Sequence, residues 1–206
     1  MATGREQIIL IGKKLYDNFS LDDERRLSVY QQVYLNLRDG LNPEKSGKGL
    51  LLIGDLGVGK TALMRIMQKI FMDTPRGFKW LDCNEIPDLM DVFTVAELKS
   101  YYGKNLKMDL YIDDLGIGNS LVNKWGNSIN LVSEILIERY NLFVAEGYRT
   151  HLSSNKHTAL DKDKYPNAVT LETLYGDRIV DRLREMCETI IWKGTSLRKQ
   201  NHAATS

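Results

Sequence analysis

The sequence contains few cysteines, few histidines and almost no net charge, and each scarcity excludes a class of protein. Its two cysteines, Cys83 and Cys187, lie far apart, which favours reduced, buried thiols in a cytosolic protein over a disulfide framework. The three histidines show no metal-ligand spacing with the cysteines. The formal net charge of +1 argues against a generally polybasic nucleic-acid binder, so any DNA contact would require a local patch.

Long apolar runs are also missing. No run approaches the roughly 20 residues that a membrane span requires, so we expect no membrane partner. The short apolar run at 8–11 is not followed by a cleavage-type segment, so we expect no signal peptide. The length of 206 residues, with 43% hydrophobic side chains, predicts one domain with an ample core.

The sequence does contain a glycine-rich loop that fits the phosphate-binding pattern G-x-x-x-x-G-K-[ST]. The loop consists of Gly54, Asp55, Leu56, Gly57, Val58, Gly59, Lys60 and Thr61. The apolar run at 49–53 predicts a buried strand before it, and 62–71 predicts a helix with one apolar face after it. Glycines let the backbone wrap a phosphate with its N–H groups directed inward, and the helix N-terminus adds partial positive charge.

In such a loop Lys60 would reach the β- and γ-phosphates of a nucleotide, and the Thr61 hydroxyl would ligate Mg²⁺. The alternative interpretation is a chance glycine turn. The Lys-Thr pair and the two flanking elements argue against that alternative. The sequence therefore predicts a site for a magnesium nucleotide.

Strands and helices are predicted to alternate along the chain. The strands lie at 49–53, 78–83, 108–114, 149–155 and 189–192, and the helices at about 20–39, 62–71, 129–145 and 171–186, while 85–102 is predicted to be irregular at first and then helical. In the first helix Ser20 is the expected N-cap, with Asp23 and Glu24 in the first turn and a stop at Gly40, while 116–127 is a predicted loop. This order predicts an α/β fold, a three-layer sandwich whose five-stranded parallel sheet carries functional side chains at the strand C-termini.

Asp113 and Asp114 follow a buried strand and are the candidate carboxylates of this site. Asp113 would hold Mg²⁺ directly or through water, because Mg²⁺ prefers hard oxygen ligands. Asp114 would orient or deprotonate the water that attacks the γ-phosphate. A solvated Asp-Asp turn is the alternative. Asn155, at the end of the next strand, would hydrogen-bond the γ-phosphate or the attacking water, although an Asn at a strand end is more often a turn former.

Three arginines lie in the last predicted helix, at Arg178, Arg182 and Arg184. A helix places Arg178 and Arg182 on one face. Each of these two lies close to a carboxylate in sequence, so surface ion pairing explains them as well as an arginine offered to a neighbour's nucleotide. Spacing alone leaves both interpretations open.

Together these motifs resemble those of the AAA+ ATPases, and among them the DnaC-like helicase loaders and the IstB-like ATPases of insertion-sequence transposition. The resemblance extends from about Phe19 to Arg198. It is carried by five segments that are similar to the family's I-D-D-L-G, E-x-R-Y, T-S-N, arginine-finger and S-x-R motifs, in that order: Tyr111–Gly116, Ile137–Tyr140, Ser153–Asn155, Gly176–Leu183 and Ser196–Arg198.

The resemblance implies a role for each candidate residue. Walker A would be Lys60 and Thr61, and Walker B would be Asp113 and Asp114. Sensor 1, the finger acting in trans and sensor 2 would be Asn155, Arg182 and Arg198, and Arg178 could share the finger role. It also implies ATP and Mg²⁺ as cofactors, a homo-oligomer with nucleotide between subunits, and DNA with a replicative helicase or a transposase as partners. An arginine supplied in trans can be worth about 10³–10⁵ in rate, so isolated subunits should hydrolyse ATP slowly.

The implied domain boundaries are a leader at 1–16, an AAA+ ATPase domain at 17–198 and a flexible tail at 199–206. The leader is shorter than the N-terminal domain with which loaders of the family often grip the helicase. Few residues follow the fifth strand, so we expect the C-terminal helical lid to be reduced or absent. Walker B is Asp-Asp here, where many AAA+ proteins have Asp-Glu.

DNA contact is expected near 85–107, where initiator-type relatives insert an extra helical element that faces DNA. Lysines there would meet phosphates and tyrosines would stack on bases: Lys99, Lys104, Lys107, Tyr101 and Tyr102. A solvated helix end with packed tyrosines explains them at least as well. Lys124 and Trp125 form a second candidate contact.

Three functions are compatible with the sequence. The first is an ATP-dependent DNA-processing ATPase of this family, in the cytoplasm. The second is a small-molecule phosphotransferase such as a nucleotide kinase, which needs an acceptor pocket and usually an arginine-rich lid. The third is a module that binds ATP only to set its shape. The presence of both Asn155 and Arg182 at positions that match the family's motifs favours the first function.

Overall fold

The computed structural model describes residues 3–40, 47–117, 121–124, 127–159, 167–194 and 196. Its helices are α1 Gly4–Leu15, α2 Glu24–Asp39, α3 Lys60–Phe71, α4 Ile86–Val92, α5 Val95–Lys99, α6 Leu131–Glu146, α7 Leu171–Tyr175 and α8 Asp177–Met186. Its strands are β1 Gly49–Gly54, β2 Phe78–Asp82, β3 Asp109–Leu115, β4 Leu121–Lys124, β5 Asn127–Asn130, β6 Thr150–Ser154 and β7 Cys187–Trp192. A 3₁₀ turn at Cys83–Glu85 follows β2, and a π-helical turn at Ser100–Lys104 follows α5.

The chain divides into two compact units. The loop unit comprises the described parts of Met1–Gly47, Asp55–Phe78 and Trp192–Ser206, and the sheet unit those of Lys48–Gly54 and Lys79–Ile191. Within the described residues, no helix combines the length and apolarity needed to cross a bilayer.

A five-stranded sheet in the order β2-β3-β6-β1-β7 organises the sheet unit. The central strand β6 pairs in parallel with β1 and with β3, so that Leu152 lies opposite both Leu51 and Ile112. Helices on this sheet bury a continuous apolar core, in which α6 contributes Ile135 and α8 contributes Leu183. The predicted α/β fold with a five-stranded parallel sheet is confirmed.

Three local predictions were wrong. α2 begins at Glu24, because the Asp23 carboxylate rather than Ser20 caps it by accepting the N–H of Arg26 at 2.7 Å. The last predicted helix is two helices, α7 and α8, because Gly176 adopts φ 79° and ψ 161° between them, outside helical geometry.

The third correction concerns the predicted loop at 116–127. Its second half enters an antiparallel pair of strands, β4 and β5, with Leu121 opposite Asn130 and Lys124 opposite Asn127. Glycine and asparagine indicate turns, but cross-strand pairing overrides the intrinsic preferences of such short strands. Residues 118–120 and 125–126 lie outside the described part of the chain.

A buried arginine fixes α6 to the starts of two strands. Arg139 is fully buried, and its guanidinium donates to the carbonyls of Leu106, Met108 and Arg149 at 2.9–3.0 Å and to the Thr150 hydroxyl at 3.0 Å. Burial lowers the pKa of Arg139 to about 10, so the group keeps its charge at neutral pH. Four hydrogen bonds to one planar group hold the helix in a single orientation.

The loop unit is built from α1, α2, α3 and the segment after β7. Tyr34 of α2 packs its ring on Phe71 of α3, with ring centroids 5.6 Å apart, and donates its hydroxyl to Gln7 of α1 at 3.0 Å. Ile8 of α1 is buried, whereas Leu10 is 57% exposed. The three helices therefore pack on one another, and α3 begins directly after the glycine-rich loop.

We expect Arg139→Ala to lower the free energy of unfolding by about 3 kcal/mol or more, because it leaves three backbone carbonyls and the Thr150 hydroxyl without their donor. Urea denaturation followed by circular dichroism measures the change. Arg25→Ala, at an exposed position of α2, is the matched control and should stay within about 0.5 kcal/mol. Equal small losses in both variants would contradict the anchoring role.

Candidate functional site

The glycine-rich loop connects β1 to α3 as predicted, and two of its glycines take left-handed backbone conformations. Gly57 has φ 83° and Gly59 has φ 108°, values that L side chains rarely adopt. Gly59 occupies the N-cap position of α3 and offers no side chain to the first turn. The helix therefore begins without a side-chain cap, and the N-terminus of a helix favours an anion.

Lys60, the first residue of α3, turns its side chain back toward this loop. It is 6% exposed, and its Nζ donates to the Asp55 carbonyl at 3.1 Å. Thr61 is exposed beside it. The Lys60 ammonium thus lies against the loop backbone, where a phosphate would need it.

The segment after β7 lies against the same loop. A Cβ placed on Gly57 would collide with the Ser196 hydroxyl, and the Gly194 N–H lies 3.5 Å from an Asp55 carboxylate oxygen. The loop position next to Ser196 therefore admits only glycine, for both its φ angle and its space. Arg198, the predicted sensor 2, lies outside the described residues.

At the end of β3, Asp113 is held by a dense set of donors. It is 1% exposed, and its Oδ1 accepts the hydroxyls of Tyr111, at 2.7 Å, and of Ser153, and the N–H of Asp114 at 3.1 Å. Burial, and then the charge of Asp113, raise the pKa of Tyr111 well above its ordinary value. Tyr111 therefore keeps its proton and acts as a donor to the carboxylate.

Asp114 has an unusual backbone conformation. It is the one non-glycine residue with positive φ among the described residues, at 54°, and the pairing of β3 with β6 shifts register between Ile112 and Leu115. Its N–H also donates to Ser153 Oγ at 3.1 Å, and its carboxylate accepts from Asn84 Nδ2 at 3.4 Å. Left-handed non-glycine residues are uncommon and concentrate at functional sites.

Three strands bring candidate residues to one edge of the sheet. Because β6 is parallel to β1 and β3, the carboxyl ends of these strands meet there. That edge carries Gly54, Asp113, Asp114 and Asn155, and Ser154 Oγ donates to the Leu115 carbonyl at 2.6 Å across it. The predicted placement of these residues at one sheet edge follows from this register.

Sequence reasoning missed three residues of this edge. Tyr111 and Ser153 bind the Asp113 carboxylate, and Asn84 contacts Asp114. Tyr111 lies two residues before Asp113 on β3, hence on the same face of the strand, which is a usable sequence signal. Asn84 has no such signal, because the order of the strands alone brings the end of β2 beside β3.

The two candidate finger arginines differ in their surroundings. Arg178 is exposed in the first turn of α8. Arg182, one turn later, lies over the ring of Tyr140 with its Cζ 5.2 Å from the centroid. The Tyr140 hydroxyl in turn donates to Glu185 at 2.7 Å.

Only some of the residues predicted to contact DNA are exposed and outside the ion pairs shown here. Lys99 pairs with Glu134 at 2.6 Å and with Glu138 at 3.4 Å, and Lys107 pairs with Glu146. Tyr102 is buried. Two residues of the set are exposed and are not shown in such pairs, Tyr101 and Lys104. Tyr101 is 52% exposed, and the Lys79 ammonium lies 5.5 Å from the centroid of its ring. Of the second candidate contact, Lys124 lies in β4 and Trp125 lies outside the described residues.

No protein-family model matches the chain, and no curated protein matches it significantly in sequence. Several solved structures are similar in fold. The DnaC helicase loader superposes with a TM-score of 0.54 at 23% identity, over 85% of this chain and 94% of that one. DnaI gives a TM-score of 0.52 at 22% identity, over 87% and 88%.

AMPPCP-bound DnaA from Aquifex aeolicus gives a TM-score of 0.51 at 16% identity, over 92% of this chain and 53% of that one. At these identities the likeness shows the fold alone. This chain therefore shares its fold with these structures, and the resemblance to DnaC-like helicase loaders that the sequence motifs indicated is confirmed at the level of the fold.

Proposed function

We propose that this protein is an AAA+ ATPase that binds and hydrolyses ATP, assembles on DNA and acts on a replicative helicase or a transposase. The observation that carries the proposal is that Asp114, whose backbone is in the left-handed region, follows directly after the buried carboxylate Asp113. Both follow β3 at the sheet edge where β1 leads into the glycine-rich loop. A non-glycine residue held with φ at 54° is a feature that concentrates at functional sites, and positioning a nucleophilic water would be such a function for the Asp114 carboxylate.

Backbone N–H groups of residues 54–61 and the Lys60 ammonium would hold the phosphates of ATP. The chain fits Mg²⁺ in its donor chemistry, since the Thr61 hydroxyl and the Asp113 carboxylate are hard oxygen ligands. Because Asp113 Oδ1 already accepts three hydrogen bonds, we assign its other oxygen to the metal. When bound, Mg²⁺ would neutralise charge on the transferring phosphoryl group.

No group of three or more His, Cys, Asp or Glu in the described residues could hold a metal alone. A metal bound by one carboxylate and one hydroxyl therefore depends on nucleotide oxygens and water to complete its shell, as is usual for Mg²⁺ in ATPases.

The remaining residues have roles in the chemical step. Asp114 would orient or deprotonate the attacking water, and Asn155, which follows β6, would hydrogen-bond that water or the γ-phosphate. Arg182 of a neighbouring subunit would stabilise the transition state, and Arg198 would contact the nucleotide as sensor 2. The subunits would therefore form a homo-oligomer with nucleotide at their interfaces.

DNA and partner binding are the furthest-reaching parts of the proposal. Their support is the fold shared with the DnaC helicase loader and DnaI, together with the exposed Tyr101 and Lys104. An aromatic ring and a nearby ammonium suit single-stranded DNA, by stacking and by phosphate contact. We place this activity in the cytoplasm.

A steady-state ATPase assay with and without single-stranded or duplex DNA tests the proposal. We expect slow release of phosphate by the protein alone and faster release with DNA, because assembly on DNA would bring Arg182 to a neighbour's nucleotide. Phosphoryl transfer to a nucleoside or nucleotide acceptor, without stimulation by DNA, would instead identify a small-molecule phosphotransferase.

We expect Lys60→Ala to weaken ATP binding more than tenfold. Asp114→Asn should keep binding within about threefold and lower turnover by about 10²–10⁴, the usual contribution of a general base. Fluorescent-nucleotide titration and phosphate release measure the two effects. Asp91→Asn, an exposed change in α4, is the control. Wild-type turnover in Asp114→Asn would show that this carboxylate does not activate the water.

Arg182→Ala should abolish DNA-stimulated turnover and leave nucleotide affinity within about threefold, because a finger contributes mainly to the transition state. Arg178→Ala, measured alongside, shows whether the first arginine of α8 shares the role. A loss of ATP binding in Arg182→Ala as large as in Lys60→Ala would contradict the assignment.

A further inference from the structure

The helix that carries Tyr140 is held rigidly by the residue before it. Arg139 donates four hydrogen bonds into the starts of β3 and β6 and is fully buried. A helix fixed at this point has little freedom to rotate about its axis. Tyr140, the residue that follows Arg139, therefore extends its side chain toward α8 from a helix whose position is fixed.

Tyr140 contacts two side chains of α8. Its hydroxyl donates to the Glu185 carboxylate at 2.7 Å, and its ring lies beneath the guanidinium of Arg182, whose Cζ is 5.2 Å from the centroid. Arg182 and Glu185 are three residues apart, hence neighbours on one face of α8. One tyrosine thus contacts a cation and an anion on adjacent turns.

The two contacts support each other physically. A phenol that donates to a carboxylate carries more electron density in its ring, which strengthens the attraction of that ring for a cation. The hydrogen bond to Glu185 also raises the pKa of Tyr140, so the hydroxyl remains a donor at neutral pH. The ring then limits the many rotamers that an exposed arginine otherwise samples.

We propose that Tyr140 and Glu185 are positioning residues for Arg182, which hold its guanidinium against the Tyr140 ring in the orientation that a neighbouring subunit's nucleotide requires. This inference rests on the proposed function, in which Arg182 acts in trans. Arg182 is only partly buried, so part of its surface remains accessible to a second copy of the chain. The advantage is preorganisation: less rotamer freedom is lost when the subunits assemble.

Tyr140→Leu in the full-length protein tests the proposal by the rate of DNA-stimulated ATP hydrolysis. We expect kcat to fall roughly two- to fivefold, the ratio that corresponds to an exposed cation–π contact, with KM for ATP unchanged. Tyr140→Phe keeps the ring and should recover most of the loss, with the hydroxyl accounting for the remainder. Val144→Ala, at a 62% exposed position one turn further along α6, is the matched control.

Subunit mixing separates positioning from a structural role. A Lys60→Ala subunit carries an intact Arg182 but binds ATP more than tenfold more weakly, so at an ATP concentration that leaves its own site largely empty it should donate that arginine to the nucleotide of a Tyr140→Leu subunit in mixed oligomers. We expect the rate per Tyr140→Leu subunit to rise toward the wild-type value, as it should for an Arg182→Ala subunit in the same mixture. No rise in the Tyr140→Leu mixture, with a rise in the Arg182→Ala mixture, would overturn the positioning role alone.

The direction of the effect is a second test. If the ring restrains Arg182 away from its target, Tyr140→Leu would speed turnover, and that result would also overturn the proposal. A wild-type protein that hydrolyses no ATP with DNA, or an Arg182→Ala variant with full turnover, would contradict the proposed function itself. The two failures are therefore distinguishable.

Discussion

The hydrogen bonds to Asp113 Oδ1 are the interaction on which the rest of the candidate site depends. Tyr111 from the same strand, Ser153 from the neighbouring strand and the next backbone N–H converge on one carboxylate oxygen. Because Ser153 also accepts from the Asp114 N–H, the same serine holds the Asp113 carboxylate and the Asp114 backbone. The backbone of Asp114 is thus held from one side by β6, which is central in the sheet, and its carbonyl also accepts the Ile117 N–H at 3.0 Å.

Arginine serves this fold in two different ways. Arg139 is buried and entirely engaged with backbone and hydroxyl oxygens, and it anchors α6 on the sheet. Arg182 stays partly exposed on α8 and contacts a tyrosine ring. Two consecutive residues of α6 therefore have different roles. Arg139 fixes the position of the helix, and in the proposed role Tyr140 uses that fixed position to orient Arg182.

The sequence was sufficient for features whose signals are local. The glycine-rich loop and the Asp113–Asp114 pair each follow an apolar strand, so their position at the carboxyl edge could be predicted. Asn84 could not, because its approach to Asp114 depends on β2 lying next to β3. The break at Gly176 was missed because the flanking segments have one continuous apolar pattern, and the β4–β5 pair because cross-strand partners, not composition, stabilise it.

A crystal structure of the assembled protein with Mg²⁺ and a slowly hydrolysed ATP analogue tests the central claim most directly. We expect the triphosphate within residues 54–61, Mg²⁺ held with the help of Thr61 and Asp113, and an arginine from α8 of a second subunit near the γ-phosphate. A triphosphate bound elsewhere, or a nucleotide site completed entirely within one subunit, would contradict it.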